Sequence, residues 1–580
     1  MTNKIEIEGR ARTSEAPTIA AGGVVLARLK AVGVDYIFAN SGTDFPPIIE
    51  GLAEATAKGI ALPRTIVIPH ENAAMGMAHG YYLATGRAQA VMAHTNVGLA
   101  NCAIGAINAA TEHVPVLLFS GRTPVTERGR LGARTVPIGW GQEMRDQTAL
   151  VREASKWDYE LRFPEQALEI VDRAYAIANS TPKGPVYVSL PREVLCEVCP
   201  SENIDAPPRI MPAIAAPQSA ALDAAVELIA GARRPLIIAQ RGAGSAEGFA
   251  TLAKLSEAWG IPVSQYWAVQ LAIATDHPMS VGSDPKAWLK DADVVVVIDS
   301  LAPWSPGAHE VSDQCKVIQI GQDPLYARFP VRNFHADISL VGESADVLGQ
   351  LAIRLEPYLA ETAAARDVRR NRVATAHVAW RSTVHKQAQS GNGDLMTKAW
   401  VSQCLSEAIA GHDATVLSEL GVPLDPLVLS RHNAWYQEPH SGGLGWSFPC
   451  ALGMQLAGPD RLVVATMGDG SYMFSNPVAC HQIAEAMNLP VLVLVLNNSE
   501  WGAVRHSVLD VYPHGFASKT NKMPLVSLEP SPDFVKIAQA SRAFTIKVDK
   551  GDDLPLALRQ AIEHVRTRKT QAFVEIRIAS

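Results

Sequence analysis

Gly468-Asp469-Gly470 is separated from Asn497-Asn498 by 26 residues. Asp469 offers a charged oxygen, a neighbouring asparagine an amide oxygen, and the glycines let backbone approach a ligand closely. These groups, with a backbone carbonyl, water and diphosphate oxygens, would fill the octahedral shell that Mg2+ requires. Read alone, Gly-Asp-Gly is an ordinary turn and Asn-Asn an ordinary strand exit. Their chemistry depends on the elements that carry them.

Leu462–Thr466 reads as a buried strand, Met467–Ser471 as a tight turn, and Asn476-Pro477 as the cap and first residue of a helix reaching about Asn488. Val491–Leu496 reads as the next parallel strand, which brings both motifs to the carboxyl edge of one sheet, where open α/β sheets bind ligands. The same alternation of apolar runs and Ala-rich stretches extends along the chain. Tyr36–Phe38, Thr65–Ile68, Ala90–Ala93, Val116–Phe119 and Pro185–Leu190 form a first set, then Pro235–Ala239, Val294–Ile298 and Val317–Ile320 a second. Thr415–Leu417, Leu462–Thr466, Val491–Leu496, Phe544–Val548 and Ala572–Ile576 form the third. A Pro-rich passage, Pro200–Pro217, and the polar Gly391–Asp394 after a charged, Ala- and Arg-rich segment separate them. The pattern predicts three doubly wound parallel-sheet α/β domains, over 18–197, 210–355 and 390–580, behind a disordered tail at 1–17. No short-period repeat is visible.

The chain has 580 residues with 48% apolar side chains and a net charge of −7 spread without a basic block. That balance points away from nucleic acid and toward small-molecule partners. The longest apolar runs are strand-length, so no membrane span is expected. The first 17 residues lack the basic start and apolar run of a secretory signal, and seven scattered cysteines do not resemble a disulfide scaffold. A cytoplasmic protein is expected. Cys196 and Cys199 have the spacing of metal or redox pairs, but no second pair exists, and they read as chance neighbours of the linker.

Together, Gly468-Asp469-Gly470 and Asn497-Asn498 resemble the signature of thiamine diphosphate enzymes. Over residues 18 to 580 the chain resembles the branch containing acetolactate synthases, benzoylformate decarboxylase and pyruvate decarboxylase. The three domains would then be pyrimidine-binding, middle and diphosphate-binding. The resemblance implies thiamine diphosphate held through Mg2+, with Asp469, Asn498 and the Glu500 carbonyl as metal ligands and Gly470 and Ser471 beside the diphosphate. It implies that Glu71, in Val67–Gly76, holds a proton on the cofactor's aminopyrimidine, so that a thiazolium carbanion can form; a first-turn glutamate favoured by the helix dipole is the alternative. In Ser441–Gly445, Leu444 would wedge between the cofactor's rings and the Gly442 carbonyl would accept its amino group, a tightly packed glycine loop being the alternative. In this family the two ends of the cofactor belong to different subunits, which implies a homodimer or homotetramer with sites at the interface.

On the substrate side, His94 lies in a segment similar to one of benzoylformate decarboxylase whose histidine lines the active site. An imidazole there could deliver a proton or orient a carboxylate. Thr43 matches a substrate-facing position, although Thr43 or Asp44 before Pro46 would also cap a helix. Gln142-Glu143 resembles the Gln-Glu of acetolactate synthases, which makes Gln142 a substrate-binding candidate. His277 matches the place of another active-site histidine of benzoylformate decarboxylase but, as related enzymes carry His-Pro there without using it, reads as capping or packing. Gly242-Ala-Gly244 is a fragment of a dinucleotide fingerprint left incomplete. Asp299–Pro306 departs from the arginine-containing segment of acetolactate synthases, which speaks against FAD. Trp501–Ser507 resembles the helix covering the substrate, with Ser507 where an aromatic would favour aryl substrates, and Tyr512–Leu525 reads as a lid. The expected activity is cleavage or formation of a C–C bond on a 2-oxo acid or aldehyde, as a decarboxylase or lyase. The alternatives are an acetolactate-synthase-like carboligase and an inert regulatory relative.

Overall fold

The structure is a computed structural model that describes residues 18–579. The tail reading for residues 1–17 lies outside the described residues. Three parallel sheets carry the molecule. The first has six strands in the spatial order Arg64–Val67, Tyr36–Ala39, Gln89–Ala93, Val116–Arg122, Val186–Pro191 and Asp158–Glu160. The second has Val263–Ser264, Pro235–Ala239, Val294–Ile298, Lys316–Gly321 and Ile338–Val341. The third has Trp435–Gln437, Ala414–Glu419, Leu462–Gly468, Leu492–Asn497, Ala572–Arg577 and Phe544–Val548. Every pairing within them is parallel. Three α/β domains were therefore legible from the alternation alone.

The structure adds the strand order. Counted along the chain, the first and third sheets both run 2-1-3-4-6-5, and the middle one runs 2-1-3-4-5. In each, the first and third strands are neighbours whose connections leave in opposite directions. The gap beyond their carboxyl ends is the switch point where such sheets receive ligands. Central strands such as Val294–Ile298 are buried on both faces, which explains their continuous apolar runs.

Two helices tie the first and third sheets together. Glu71–Thr85 packs against Ser447–Ala457 through small residues: a Cβ on Gly80 would lie 1.9 Å from the Cys450 carbonyl oxygen, and one on Gly453 would lie 2.0 Å from that of Met77. Glycine at both positions lets the backbones touch. The segment after Gln350 contains a 27-residue helix, Ala363–Gln389. Beyond Pro200 the linker has no regular element until Ser219, and Arg28 fastens it by donating to the Ile204 and Ala206 carbonyls. Cys199 sits in a short antiparallel pairing of Val198–Pro200 with Thr18–Ala20, and all seven cysteines are free. Among the described residues no helix is long and apolar enough to cross a membrane.

Candidate functional site

At the third sheet's switch point, the strand Leu462–Gly468 runs directly into the short helix Asp469–Phe474. The tight turn expected at Met467–Ser471 is thus a strand passing into a helix. Gly470 is demanded by packing: a Cβ there would lie 2.3 Å from the Trp501 ring. Asn476 stands at the N-cap and Pro477 opens the next helix, as expected, but the Asn476 side chain makes no capping bond. Its backbone is left-handed at φ 55, which asparagine tolerates, and its amide lies 3.3 Å from His70 Nδ1.

Asp469 is 2% exposed and its Oδ2 has no partner. Burial pushes its carboxyl up to about 6, against the pull of nearby backbone N–H groups, including that of Ser499, and of Lys398. The Asn497–Glu500 turn therefore lies beside it. Within that turn the two asparagines differ. Asn497 is structural: its Nδ2 donates to Glu575 Oε1 at 3.0 Å and its Oδ1 accepts the Ser499 N–H at 2.9 Å. Asn498 makes only a long 3.3 Å contact, to the Glu500 N–H. Among the described residues no three His, Cys, Asp or Glu side chains gather as a metal site. A cation here would rest on Asp469 with the Asn498 amide and the Glu500 carbonyl. The buried, unpartnered carboxylate oxygen fits that role, because a buried charge needs a counter-charge.

The Ser441–Gly445 loop is held from two sides. Glu419, fully buried, accepts the N–H groups of Gly445, Trp446 and Ser447 at 2.6, 2.8 and 2.7 Å. Burial raises its carboxyl and those three donors oppose the rise. Asn108, on the helix Thr95–Thr111, donates to the Gly443 carbonyl at 2.9 Å and accepts from the Ser441 hydroxyl at 2.6 Å. Gly442 is left exposed at φ 67 and Leu444 half-buried. Neither Glu419 nor Asn108 was flagged by the sequence.

At the first sheet's switch point, Glu71 opens its helix with His70 as cap, and it is 6% exposed. Both of its oxygens are clasped by amides. Asn40 Nδ2 donates to Oε1 at 2.9 Å and Asn101 Nδ2 to Oε2 at 3.0 Å. His94, at the end of the strand Gln89–Ala93 on the other side of Tyr36–Ala39, forms a chain with two other residues. Its Nδ1 bonds Asp44 Oδ1, and its Nε2 lies 3.0 Å from Gln142 Nε2. The hydrogen bond to Asp44 raises the imidazole's pKa; burial opposes this, and the charges of Asp44 and Glu71 add to the rise.

The helix Pro46–Ala57 has no side-chain cap, so the capping alternative for Thr43 and Asp44 is corrected: Asp44 holds His94 and the Thr95 N–H instead. Thr43 is exposed on the rim of a cavity of about 150 Å3 that Gln142 also lines. His277 stands apart in the middle domain, where its Nδ1 accepts the Met279 N–H at 3.1 Å. Arg505 and Ser507 lie on the helix Gly502–Val511, and Phe516 and Leu525, in the segment read as a lid, are almost fully exposed.

The middle sheet's switch point, where Gly242-Ala-Gly244 follows the first strand, is filled by protein. Arg241 reaches Asp299 Oδ1 at 3.2 Å and the Tyr326 hydroxyl at 2.7 Å. It also donates to Glu112 Oε2 at 2.6 Å and to the Thr111 carbonyl, both at the end of the Thr95–Thr111 helix. Glu112 in turn accepts the His440 N–H at 2.9 Å, just ahead of the Ser441–Gly445 loop. One guanidinium thus links all three domains.

Three family models match the chain in sequence order: the thiamine pyrophosphate enzyme N-terminal TPP binding domain over residues 19–150, the central domain over 222–351, and the C-terminal TPP binding domain over 427–576. A probable 2-ketoarginine decarboxylase of Pseudomonas aeruginosa is 27% identical, over 93% of this chain and 90% of that protein. A sulfoacetaldehyde acetyltransferase of Alcaligenes xylosoxydans xylosoxydans is 27% identical, over 94% of this chain and 90% of that protein. An acetolactate synthase of Mycobacterium bovis is 26% identical, over 93% and 85% respectively. Among solved structures, a thiamine diphosphate-dependent 4-hydroxybenzoylformate decarboxylase of Rhodococcus jostii shares the fold, with a TM-score of 0.75, 22% identity, and coverage of 97% of this chain and 99% of that one.

Proposed function

This chain belongs to the thiamine pyrophosphate enzyme family, and from that premise we propose that it cleaves or forms the C–C bond next to the carbonyl of a 2-oxo acid, as a decarboxylase or lyase dependent on thiamine diphosphate and Mg2+. The cofactor, when bound, supplies a nucleophilic carbon and accepts the electron pair released as the C–C bond breaks. The observation that carries the reading is Asp469, a buried carboxylate with an unpartnered oxygen beside the Asn497–Glu500 turn. Asp469, Asn498 and the Glu500 carbonyl hold the metal, and Gly470 and Ser471 lie at the diphosphate. Glu71, clasped by Asn40 and Asn101, keeps a proton at the ring nitrogen of the aminopyrimidine. The Gly442 carbonyl and the Leu444 side chain would hold the cofactor from the Ser441–Gly445 loop, the first as an acceptor for its amino group and the second as an apolar contact. His94, its pKa raised by Asp44, gives a proton to the reacting carbon or steadies the substrate carboxylate, with Gln142 and Thr43 at the substrate's side.

The site is built from two copies, as a homodimer or homotetramer. Within one chain Glu71 meets Asn101, while the Ser441–Gly445 loop meets Asn108, two turns and about 10 Å further along the same helix. That helix also leaves Val97, Ile104 and Ile107 exposed, with Ile104 beside the exposed Phe474, an apolar surface that a second copy would cover.

The test is reconstitution of the apoprotein with thiamine diphosphate and Mg2+, followed by carbon dioxide and aldehyde assays over a panel of 2-oxo acids. Release that disappears in Glu71→Gln is expected, and silence across the panel sinks the reading. Acetolactate made from pyruvate would favour the carboligase reading, to which the acetolactate synthase relatives belong. Failure to accelerate deuterium exchange at the cofactor's reactive carbon would identify an inert relative.

A further inference from the structure

Beyond Gln142, the cavity of about 150 Å3 has a wall that the mechanism leaves unused. Arg192 lines it at the start of a short helix after the strand Val186–Pro191. Its guanidinium donates through Nε to the Gly132 carbonyl at 2.7 Å, through Nη2 to the Ala133 carbonyl at 2.6 Å, and through Nη1 to the Thr43 carbonyl at 2.9 Å. All three acceptors are neutral. Among the described residues no carboxylate lies within ion-pair distance of Arg192. The other charges on this wall are spoken for: Arg134 pairs with Glu143, and Asp44 is taken by His94 and the Thr95 N–H. A guanidinium carries five N–H groups, so Arg192 keeps two free after its three carbonyl bonds. Those bonds fix the fork in place, so little side-chain freedom is lost when an anion docks on it. Thr43 adds a hydroxyl to the same wall, whereas Thr123 spends its own on the Gly139 carbonyl at 2.8 Å. Because Asp44 and Gln142 both line the cavity and both bond His94, a molecule seated at the reacting centre would reach the cavity past that imidazole.

We infer that this cavity holds the distal end of the substrate and that this end is anionic, so the substrate is a 2-oxo acid, or the matching aldehyde, with a second acidic group on a short chain. The inference rests on the reading of the neighbouring centre given above. An uncharged or aryl tail would leave the two remaining N–H groups of the half-buried Arg192 without an acceptor on the substrate.

The holoenzyme is assayed with substrates matched in length, 2-oxopentanoate against 2-oxoglutarate, with 2-oxo-4-phosphonobutanoate as the arm that separates carboxylate from phosphorus acids. The expected result is a kcat/KM preference for a charged tail of about tenfold or more, in line with a charge-assisted hydrogen bond. It should fall to about one in Arg192→Met and stay intermediate in Arg192→Lys, which keeps the charge without the fork. The ratio is read within each variant, so general damage to the loop cancels. Equal use of the neutral partner by the unaltered enzyme, or a preference that survives Arg192→Met, overturns the inference. Calorimetric titration of the holoenzyme with glutarate and with pentanoate reads the cavity without turnover. If no 2-oxo acid reacts, the reaction assignment fails, and the cavity assignment is still decided by whether glutarate binds about tenfold tighter in an Arg192-dependent way.

Discussion

Arg241→Met tests whether the three-domain ion network sets both stability and cofactor affinity. The side chain is buried, and its loss strands two buried carboxylates, Glu112 and Asp299. Glu112 keeps the His440 N–H and Asp299 keeps the Tyr326 hydroxyl at 3.1 Å, so neither is left bare. Removing one partner of a buried pair costs about 3–5 kcal/mol. For a domain of 150–250 residues each kcal/mol moves the melting midpoint by about 2–4 °C, so a fall of roughly 6 °C or more is expected. Glu112→Gln leaves Arg241 its other partners and should cost less, about 1–3 kcal/mol. The double variant should recover part of the sum, because the two changes remove the same interaction.

Burial would raise the Glu112 carboxyl, but Arg241 first, then His440 and its N–H, hold it down at about 2. A depressed acid stabilises the fold above its unfolded pKa of about 4.3. That contribution is therefore full at pH 7 and fades only as pH falls below about 4 toward 2. Because Glu112 also holds His440, a Glu112 no longer anchored by Arg241 can shift with it, which should loosen the approach to the Ser441–Gly445 loop and raise the Kd for thiamine diphosphate about tenfold, the equivalent of about 1.4 kcal/mol. Thermal melts at pH 7 and cofactor titrations are the assays. A midpoint within about 2 °C and an unchanged Kd in Arg241→Met would falsify the idea that this network braces the site.

Other expectations concern the centre itself. Glu71→Gln should lower kcat by on the order of 10^2–10^4 while cofactor binding, followed by protein fluorescence, changes little, since proton placement is lost and packing is kept. Stabilisation by Mg2+ with thiamine diphosphate should weaken as pH falls through about 6. Burial keeps Asp469 protonated up to that point, and a metal must displace the proton. Melting shifts of equal size at pH 5.5 and 7.5 would contradict this. If His94 works as the charged acid, activity falls as pH rises through its raised pKa. Asp44→Asn removes the largest cause of that rise, so the alkaline limb of the rate profile should move to lower pH; a limb that stays put assigns it to another group.

The parts of the site legible in the sequence are those whose logic is local. Gly468-Asp469-Gly470 and Asn497-Asn498 end neighbouring strands of one sheet, and Glu71 follows a strand and opens a small-residue helix, so their placement could be read from pattern and spacing while their candidate roles came from the family resemblance. What the sequence hid is long-range. Asp44 meets His94 across 50 residues, Glu419 meets the Gly445 N–H across 26, and Arg192 meets the Thr43 carbonyl across 149. None of these pairs leaves a periodic trace. Local signals also misled where tertiary contacts override them. Asn476 occupies the N-cap before Pro477, yet its amide lies near His70 and makes no capping bond, and the Asp44 carboxylate bonds the His94 imidazole and caps nothing.

The repeat that the residues do not display is in the strand order. The first and third sheets share 2-1-3-4-6-5, and each presents at its switch point a carboxylate that opens a helix, Glu71 in one and Asp469 in the other. Their surroundings differ, and the proposed roles rest on that difference. Glu71 lies between two amide donors, whereas Asp469 keeps an unpartnered oxygen. The middle sheet opens the same kind of gap between Pro235–Ala239 and Val294–Ile298 and closes it with Arg241, whose reach to Glu112 converts a ligand crevice into a brace for the other two domains. One architecture used three times thus differs in what its switch point contains, and that content, more than the fold, is where this chain's chemistry is decided.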